Sequence, residues 1–188
     1  QNQAMVAMGR FNRGVIVRGI SPDIELGVSD LQNKITKGSF KLDPGRFNIL
    51  IGSGIARYFG LDIGDKISII SSQANYSPLG MLPRLKQFRV SGIFDIGMYE
   101  YDASLVLIHL NDAQNFFQLD KNVSGVRVKL EDLDRTQSTT RNIDKLINQD
   151  NSYFISDWTK QHSNLFAAIQ MEKRVMFIIL TLIIAVAA

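Results

Sequence analysis

Residues able to do chemistry are few in this sequence. Two carboxylate pairs stand close together, Glu100 with Asp102 and Glu131 with Asp132. A carboxylate pair at the right separation performs glycosidic acid–base chemistry. Here Asp132 reads as a helix cap, and Glu100 and Asp102 flank Tyr99 and Tyr101 in a polar loop. The two histidines, His109 and His162, lie far apart, and there is no cysteine. Thiolate chemistry is therefore excluded, and metal ligation has little to build on. His109 reads as a hydrogen-bonded structural histidine. There is no Gly-x-Ser-x-Gly elbow, no His-Glu-x-x-His and no Gly-Lys-Ser/Thr loop. Gly52-Ser53-Gly54 resembles a dinucleotide turn only faintly, because the third glycine is replaced by Arg57. The expectation is a strand-to-helix turn whose glycines supply positive φ. No catalytic residue, cofactor or metal is assigned. What remains is recognition chemistry. Pro78 and Pro83 bound an apolar run of Leu79, Met81 and Leu82.

Two strand patterns hold that run. Before it lies Lys-Ile-Ser-Ile-Ile at 66–70; after it, apolar residues alternate over 88–94. The connection at 71–83 is longer than a tight hairpin needs, and long connections inside compact domains tend to be functional. The expectation is a proline-stiffened hairpin arm that reaches a partner. Leu79, Met81 and Leu82 are side chains a solvated loop has no reason to display.

Further elements frame it. Residues 5–9 and 15–20 read as strands around a turn at 10–14. Ser21-Pro22-Asp23 ends the second strand. A short helix is expected at 29–35, with Ser29 as N-cap and Gly38 as stop, and a turn at Asp43-Pro44-Gly45. A strand at 48–51 leads to a helix at 55–59. Residues 103–110 read as a strand buried on both faces or in a sandwich, followed by a short helix to Leu119 capped by Asn111 or Asp112, with Phe116 and Phe117 packed beneath it. From residue 123 the expected pattern is β-α-β. Val126, Val128 and Leu130 share one strand face, a helix spans 133–149 with an apolar stripe of Leu133, Ile143, Leu146 and Ile147, and a strand covers 152–156. Asp157 then caps a final helix starting near Thr159. The whole predicts an α+β domain. Its outer α+β part is drawn from 1–39 and 111–160, a β-rich subdomain is inserted at 40–110 with its arm at 71–83, and a helix at 161–188 leads out.

Composition narrows the class. At 188 residues, 45% hydrophobic and 21% charged, this is an ordinary folded chain. A net charge of +3 without a Lys/Arg stripe gives no support for nucleic acid. The charge-free run from Val175 onward is apolar on every face and follows Glu172-Lys173-Arg174, an interfacial anchor. It reads as the first part of a transmembrane helix, and the sequence as a piece of a larger membrane protein. A rigid helix joining domain to membrane would transmit force between them.

Three ordered stretches together resemble the permease subunits of the bacterial lipoprotein-releasing ABC transporter, the LolC/LolE family. They are Val17-Arg18-Gly19-Ile20-Ser21-Pro22; Gly64-Asp65-Lys66-Ile67 through Ser77-Pro78-Leu79-Gly80-Met81-Leu82-Pro83 to Phe88-Arg89-Val90-Ser91-Gly92-Ile93-Phe94; and Asp157-Trp158 with 164–173 and the apolar run. The arm is more similar to the LolC or hybrid form than to LolE. The resemblance implies a MacB-like periplasmic core domain, with a β-α-β porter part and an inserted β-rich part, in the bacterial inner membrane. It implies that a hook at 71–83 captures the soluble chaperone LolA, supported by a basic patch at Arg84 and Lys86, with Leu85 departing from the family's polar character. It further implies lipoprotein cargo, a second permease subunit or a second copy of the chain, and a separate cytoplasmic ATPase subunit, LolD. This chain is then not an enzyme. The alternative is a MacB-like mechanotransmission domain of an efflux or cell-division system, which would lack such an arm.

Overall fold

The computed structural model describes residues 1–77, 80–132, 135–147, 153–157 and 163–187. They fall into two compact units, Gln1–Val128 and Lys129–Ala188.

The first unit is a closed β-ring. Its strands are β1 (Asn2–Met8), β2 (Phe11–Ile20), β3 (Ile35–Gly38), β4 (Asn48–Gly52), β5 (Lys66–Ser77), β6 (Gly80–Phe94) and β7 (Leu105–His109). Hydrogen-bonded order runs β3-β6-β4-β7-β2-β1-β5, and β5 pairs with β6 to close the ring. Closure removes the open edges that a flat sheet would present. β2 with β7 and β4 with β6 are parallel; the other pairs are antiparallel. The ring takes β1 and β2 from before residue 40 and β4–β7 from after it. The expected segment borders at 39/40 and 110/111 thus fall within one unit.

Burial explains the composition of the central strands. Ile49, Ile51, Val106 and Ile108 face one apolar cluster, inside the ring with Phe88 and Val90. Leu50, Leu105 and Leu107 face a second, with Phe94, Leu31 and Leu42. A strand covered on both faces reads as a continuous apolar run rather than an alternating one, as residues 105–108 do. Short helices close the ring: α1 (Pro22–Val28), α2 (Ser53–Phe59), α3 (Tyr99–Ser104) and α4 (Leu110–Phe117). α4 packs so tightly on β2 that a Cβ at Gly19 would lie 2.5 Å from that of Ala113.

Several expectations are corrected. The first hairpin turns at Gly9 and Arg10, since Met8 pairs with Phe11, and Gly9 takes the left-handed φ of 58°. The helix expected at 29–35 is replaced by α1, which starts at Pro22, a favoured first helical position. A 3₁₀ turn at Leu31–Lys34 follows, and residues 35–38 are drawn into β3 because β6 offers an edge there. Glu100 and Asp102 sit on α3, not in a polar loop, and Asp102 is buried, accepting from the amides of Ile96 (2.9 Å) and Gly97 (3.1 Å). His109 is the structural residue expected. It occupies the N-cap position of α4, its Nδ1 accepting from the Asn111 amide at 3.1 Å; neither Asn111 nor Asp112 is the cap.

The strand expected at 123–130 does not form. Val126 is 86% exposed and Val128 is also exposed. Alternation makes a strand only where an edge is available to pair, and among the described residues none pairs here. Arg127 instead makes an ion pair with the buried Glu25 of α1.

The second unit contains α5 (Thr136–Ile147) and α6 (Ser163–Ala187). The described part of the expected strand at 152–156 has no regular structure. The ends expected at residues 133 and 149, and the last helix's start near Thr159, lie outside the described residues. No helix among the described residues is long and apolar enough to cross a membrane. A span needs about 20 apolar residues, and the charges at Glu172, Lys173 and Arg174 interrupt α6.

Candidate functional site

The stretch at 71–83 is not a loop. β5 runs on to Ser77 and β6 begins at Gly80. Their register continues Ala74↔Pro83, Asn75↔Leu82, Tyr76↔Met81, Ser77↔Gly80. Of the proposed hook residues, Tyr76, Gly80, Met81, Leu82 and Pro83 therefore lie on paired strand backbone; Pro78 and Leu79 lie outside the described residues. Among the described residues the stretch is paired strand rather than loop. Ser-Ser-Gln-Ala-Asn carries no strand signal, having neither β-branched residues nor alternation.

The arm's root follows from the pairing. β5 has β1 on one side and β6 on the other only through Ser71, where Ala4 is its partner. Beyond Ser71 the described backbone is a two-stranded ribbon of β5 and β6. At the junction the register slips: Ile70 faces Leu85, yet Ala74 faces Pro83, so residues 71–73 stand opposite Arg84 alone. Pro83 has no N–H for the ladder, and a bulge placed beside it re-aims the strand pair. Because an isolated hairpin is marginal in water, anchorage of the root matters.

Arg84 supplies that anchorage. Its Nη1 donates to the carbonyl of Phe116 at 3.4 Å and its Nη2 to Oε1 of Gln118. These are acceptors at the C-terminal end of α4, where a cation is favoured. Lys86 extends over Phe47, its Nζ 3.9 Å from the ring centroid. The pleat puts Arg84 and Lys86 on the side of β6 that carries Phe88 and Val90. Leu85, 61% exposed, falls on the opposite side. It is therefore not between the two cations in space, although it is between them in sequence.

The residues that position this pair were invisible in the sequence. Phe47 holds a left-handed φ of 52° and meets Phe88 edge-to-face at 5.7 Å. Asp112, fully buried, accepts from the amides of Gly45 (2.7 Å) and Phe47 (3.1 Å). Gln118 ends α4 with a left-handed φ of 52°, where glycine is usual. An Asp in a first helical turn looks like any cap, and a Gln carries no positional signal. Among the described residues no cluster of His, Cys, Asp or Glu could hold a metal ion.

Arg84→Ala is expected to lower stability by about 1 kcal/mol and to raise amide exchange at 84–86 in the free chain. Arg84→Lys should not rescue the exchange, since an ammonium cannot span both acceptors as the guanidinium fork does. Hydrogen exchange read by mass spectrometry checks both; normal exchange in the alanine variant would refute the anchoring role.

The chain belongs to the family of the MacB-like periplasmic core domain, whose model matches residues 2–146. Among its relatives, the lipoprotein-releasing system transmembrane protein LolC of Neisseria meningitidis serogroup B is 43% identical over 188 residues, covering 100% of this chain and 45% of the relative. LolC of Xylella fastidiosa strain 9a5c is 40% identical over 181 residues, covering 96% and 43%. LolE of Haemophilus influenzae is 28% identical over 189 residues, covering 98% and 44%. The chain thus spans less than half the length of these curated relatives. The extracellular domain of the noncanonic ABC-type transporter YknZ from Gram-positive bacteria shares the fold, with a TM-score of 0.52 at 16% identity, over 81% of this chain and 73% of that one.

Proposed function

We propose that this chain is the periplasmic domain of an inner-membrane permease that releases lipoproteins and hands them to the chaperone LolA. The observation that supports the reading most is the 43% identity to a lipoprotein-releasing LolC over the whole chain, arm included. In this reading residues 71–83 are the hook. Pro78, Leu79, Met81, Leu82 and Pro83 enter the chaperone's apolar cavity, with Tyr76 and Gly80 completing the arm. Burying two or three such side chains contributes about 1.5–3 kcal/mol each before the cost of association. The strand pairing of the ribbon and its prolines lower that cost by limiting what must be ordered. Arg84 and Lys86 flank the root and act on encounter and registration. ATP is hydrolysed by the separate cytoplasmic subunit LolD, and a second permease subunit or a second copy completes the transporter.

The test is capture of LolA from the same organism by the full-length permease carrying Leu79→Asp, Met81→Asp and Leu82→Asp together. Loss of capture, with the thermal melt unchanged, is the expected result. Undiminished capture by the folded variant would sink the hook assignment.

A further inference from the structure

The second feature with the character of a recognition surface lies where β1 turns into β2. Arg10 occupies the turn, and Phe11 and Arg13 open β2. Phe11 and Arg13 share the strand parity of Val15 and Val17, which point into the ring. At the strand's end there is no interior left to fill, and both side chains instead reach Tyr58 of α2. The ring of Phe11 meets Tyr58 edge-on at 6.3 Å. The Arg13 guanidinium lies 5.0 Å from the Tyr58 centroid and that of Arg10 5.3 Å from the Phe11 centroid. Tyr58 in turn packs edge-on against buried Phe59 at 4.9 Å, fixing the cluster to the core.

Two facts make this more than surface packing. Phe11 is 47% and Tyr58 50% exposed, so a rigid aromatic pair is presented to solvent rather than covered. Neither arginine has an ion-pair partner among the described residues. A guanidinium laid over a ring keeps its in-plane N–H donors available, in the fork geometry that suits a carboxylate. Stacking also removes much of the rotamer freedom that binding would otherwise cost.

We propose that Arg10, Phe11, Arg13 and Tyr58 form a docking surface for a carboxylate-bearing segment of another protein. Tyr, Phe and Arg are the residues enriched at protein interfaces, and lysine, depleted there, is absent from the cluster. An anionic membrane surface selects a different composition, with several mobile Lys and Arg side chains close together. A second copy of this chain fits poorly, since its own net charge is +3. The surface is separate from the arm: the β1–β2 turn lies beside the start of β5, as Ala7 pairs with Ser68, whereas the arm leaves from its end.

The experiment places the photoreactive residue p-benzoylphenylalanine at Phe11 of the full-length protein in its native membrane. After irradiation, the cross-linked peptide is mapped by mass spectrometry. The expected product is a peptide of a different protein that carries Asp or Glu. Its yield should fall about tenfold in the Arg10→Gln, Arg13→Gln double variant and recover in part with lysine at both positions. It should also decline as sodium chloride is raised. A lipid adduct, an adduct to a second copy, a peptide without acidic residues, or no adduct above that at an exposed control position would each overturn the proposal. So would an undiminished yield in a double variant whose melting temperature is unchanged.

Discussion

Gly52→Ala should destabilise the ring unit by about 3 kcal/mol or more, the upper range for forcing an extra carbon into a packed interior. The backbone at Gly52 has φ −69° and ψ 152°, which any residue adopts. The glycine is therefore not there for positive φ, contrary to what the Gly52-Ser53-Gly54 pattern suggests. The reason is proximity. A Cβ at Gly52 would lie 2.2 Å from the carbonyl oxygen of Asp102 and 2.8 Å from its Cα. Those are backbone atoms of α3, and α3 cannot easily retreat, because the buried Asp102 carboxylate is tied to the amides of Ile96 and Gly97. Gly54→Ala brings its Cβ to 2.9 Å from the same oxygen and should cost less, about 1–2 kcal/mol. Gly14→Ala is the control: nothing lies within 4 Å, its φ is not left-handed, and it sits in β2. It should be neutral or stabilising by up to about 1 kcal/mol. Urea unfolding of the three variants gives the ranking. A Gly52→Ala chain as stable as the parent would mean that the end of β4 and α3 do not meet as described.

The order of these strands along the chain was largely legible, and the way they assemble was not. β4, β7 and the start of β5 announce themselves by β-branched, apolar runs, because burial on both faces demands them. Closure of the ring had no sequence signal, since it depends on β1 meeting β5 across more than sixty intervening positions. Pro78, Leu79, Met81, Leu82 and Pro83 mark the stretch as more than a turn, but Ser72-Gln73-Ala74-Asn75 has no strand propensity of its own. There the pairing with β6 decides, not local preference. The opposite holds at 123–130. Val126 and Val128 alternate as strand residues do, yet a strand without a neighbour has no ladder to form. For the site, the family resemblance points to the cations Arg84 and Lys86 but not to what holds them. That information lies in Gln118, Phe116, Phe47 and Asp112, which are distant in sequence.

Asp112→Ala should cost about 3 kcal/mol, and its effect should reach the root of the arm. The carboxylate is fully buried and accepts two amide protons, those of Gly45 and Phe47. Alanine removes the charged acceptor from both amides of a part-buried turn, at roughly 1.5 kcal/mol each if the turn stays in place. The turn has a second reason to yield. Phe47 holds φ 52°, an unfavourable conformation for a bulky side chain, which persists only while its surroundings impose it. Once released, Phe47 moves away from Phe88, and Lys86 loses the ring over which its ammonium sits. Asp112→Asn keeps an acceptor for one amide but turns an NH₂ toward the other, so about half the loss is expected. Two readouts separate a local from a merely global effect. Urea unfolding gives the stability, and the side-chain NMR signals of Lys86 report the ring-current shift from Phe47 under conditions where the variant remains folded. The expected result is a Lys86 signal moved toward its unstacked position in the alanine variant and an intermediate shift in the asparagine variant. An unshifted Lys86 in a folded, destabilised Asp112→Ala chain would show that Phe47 keeps its place without the carboxylate, and that the position of Lys86 does not depend on it.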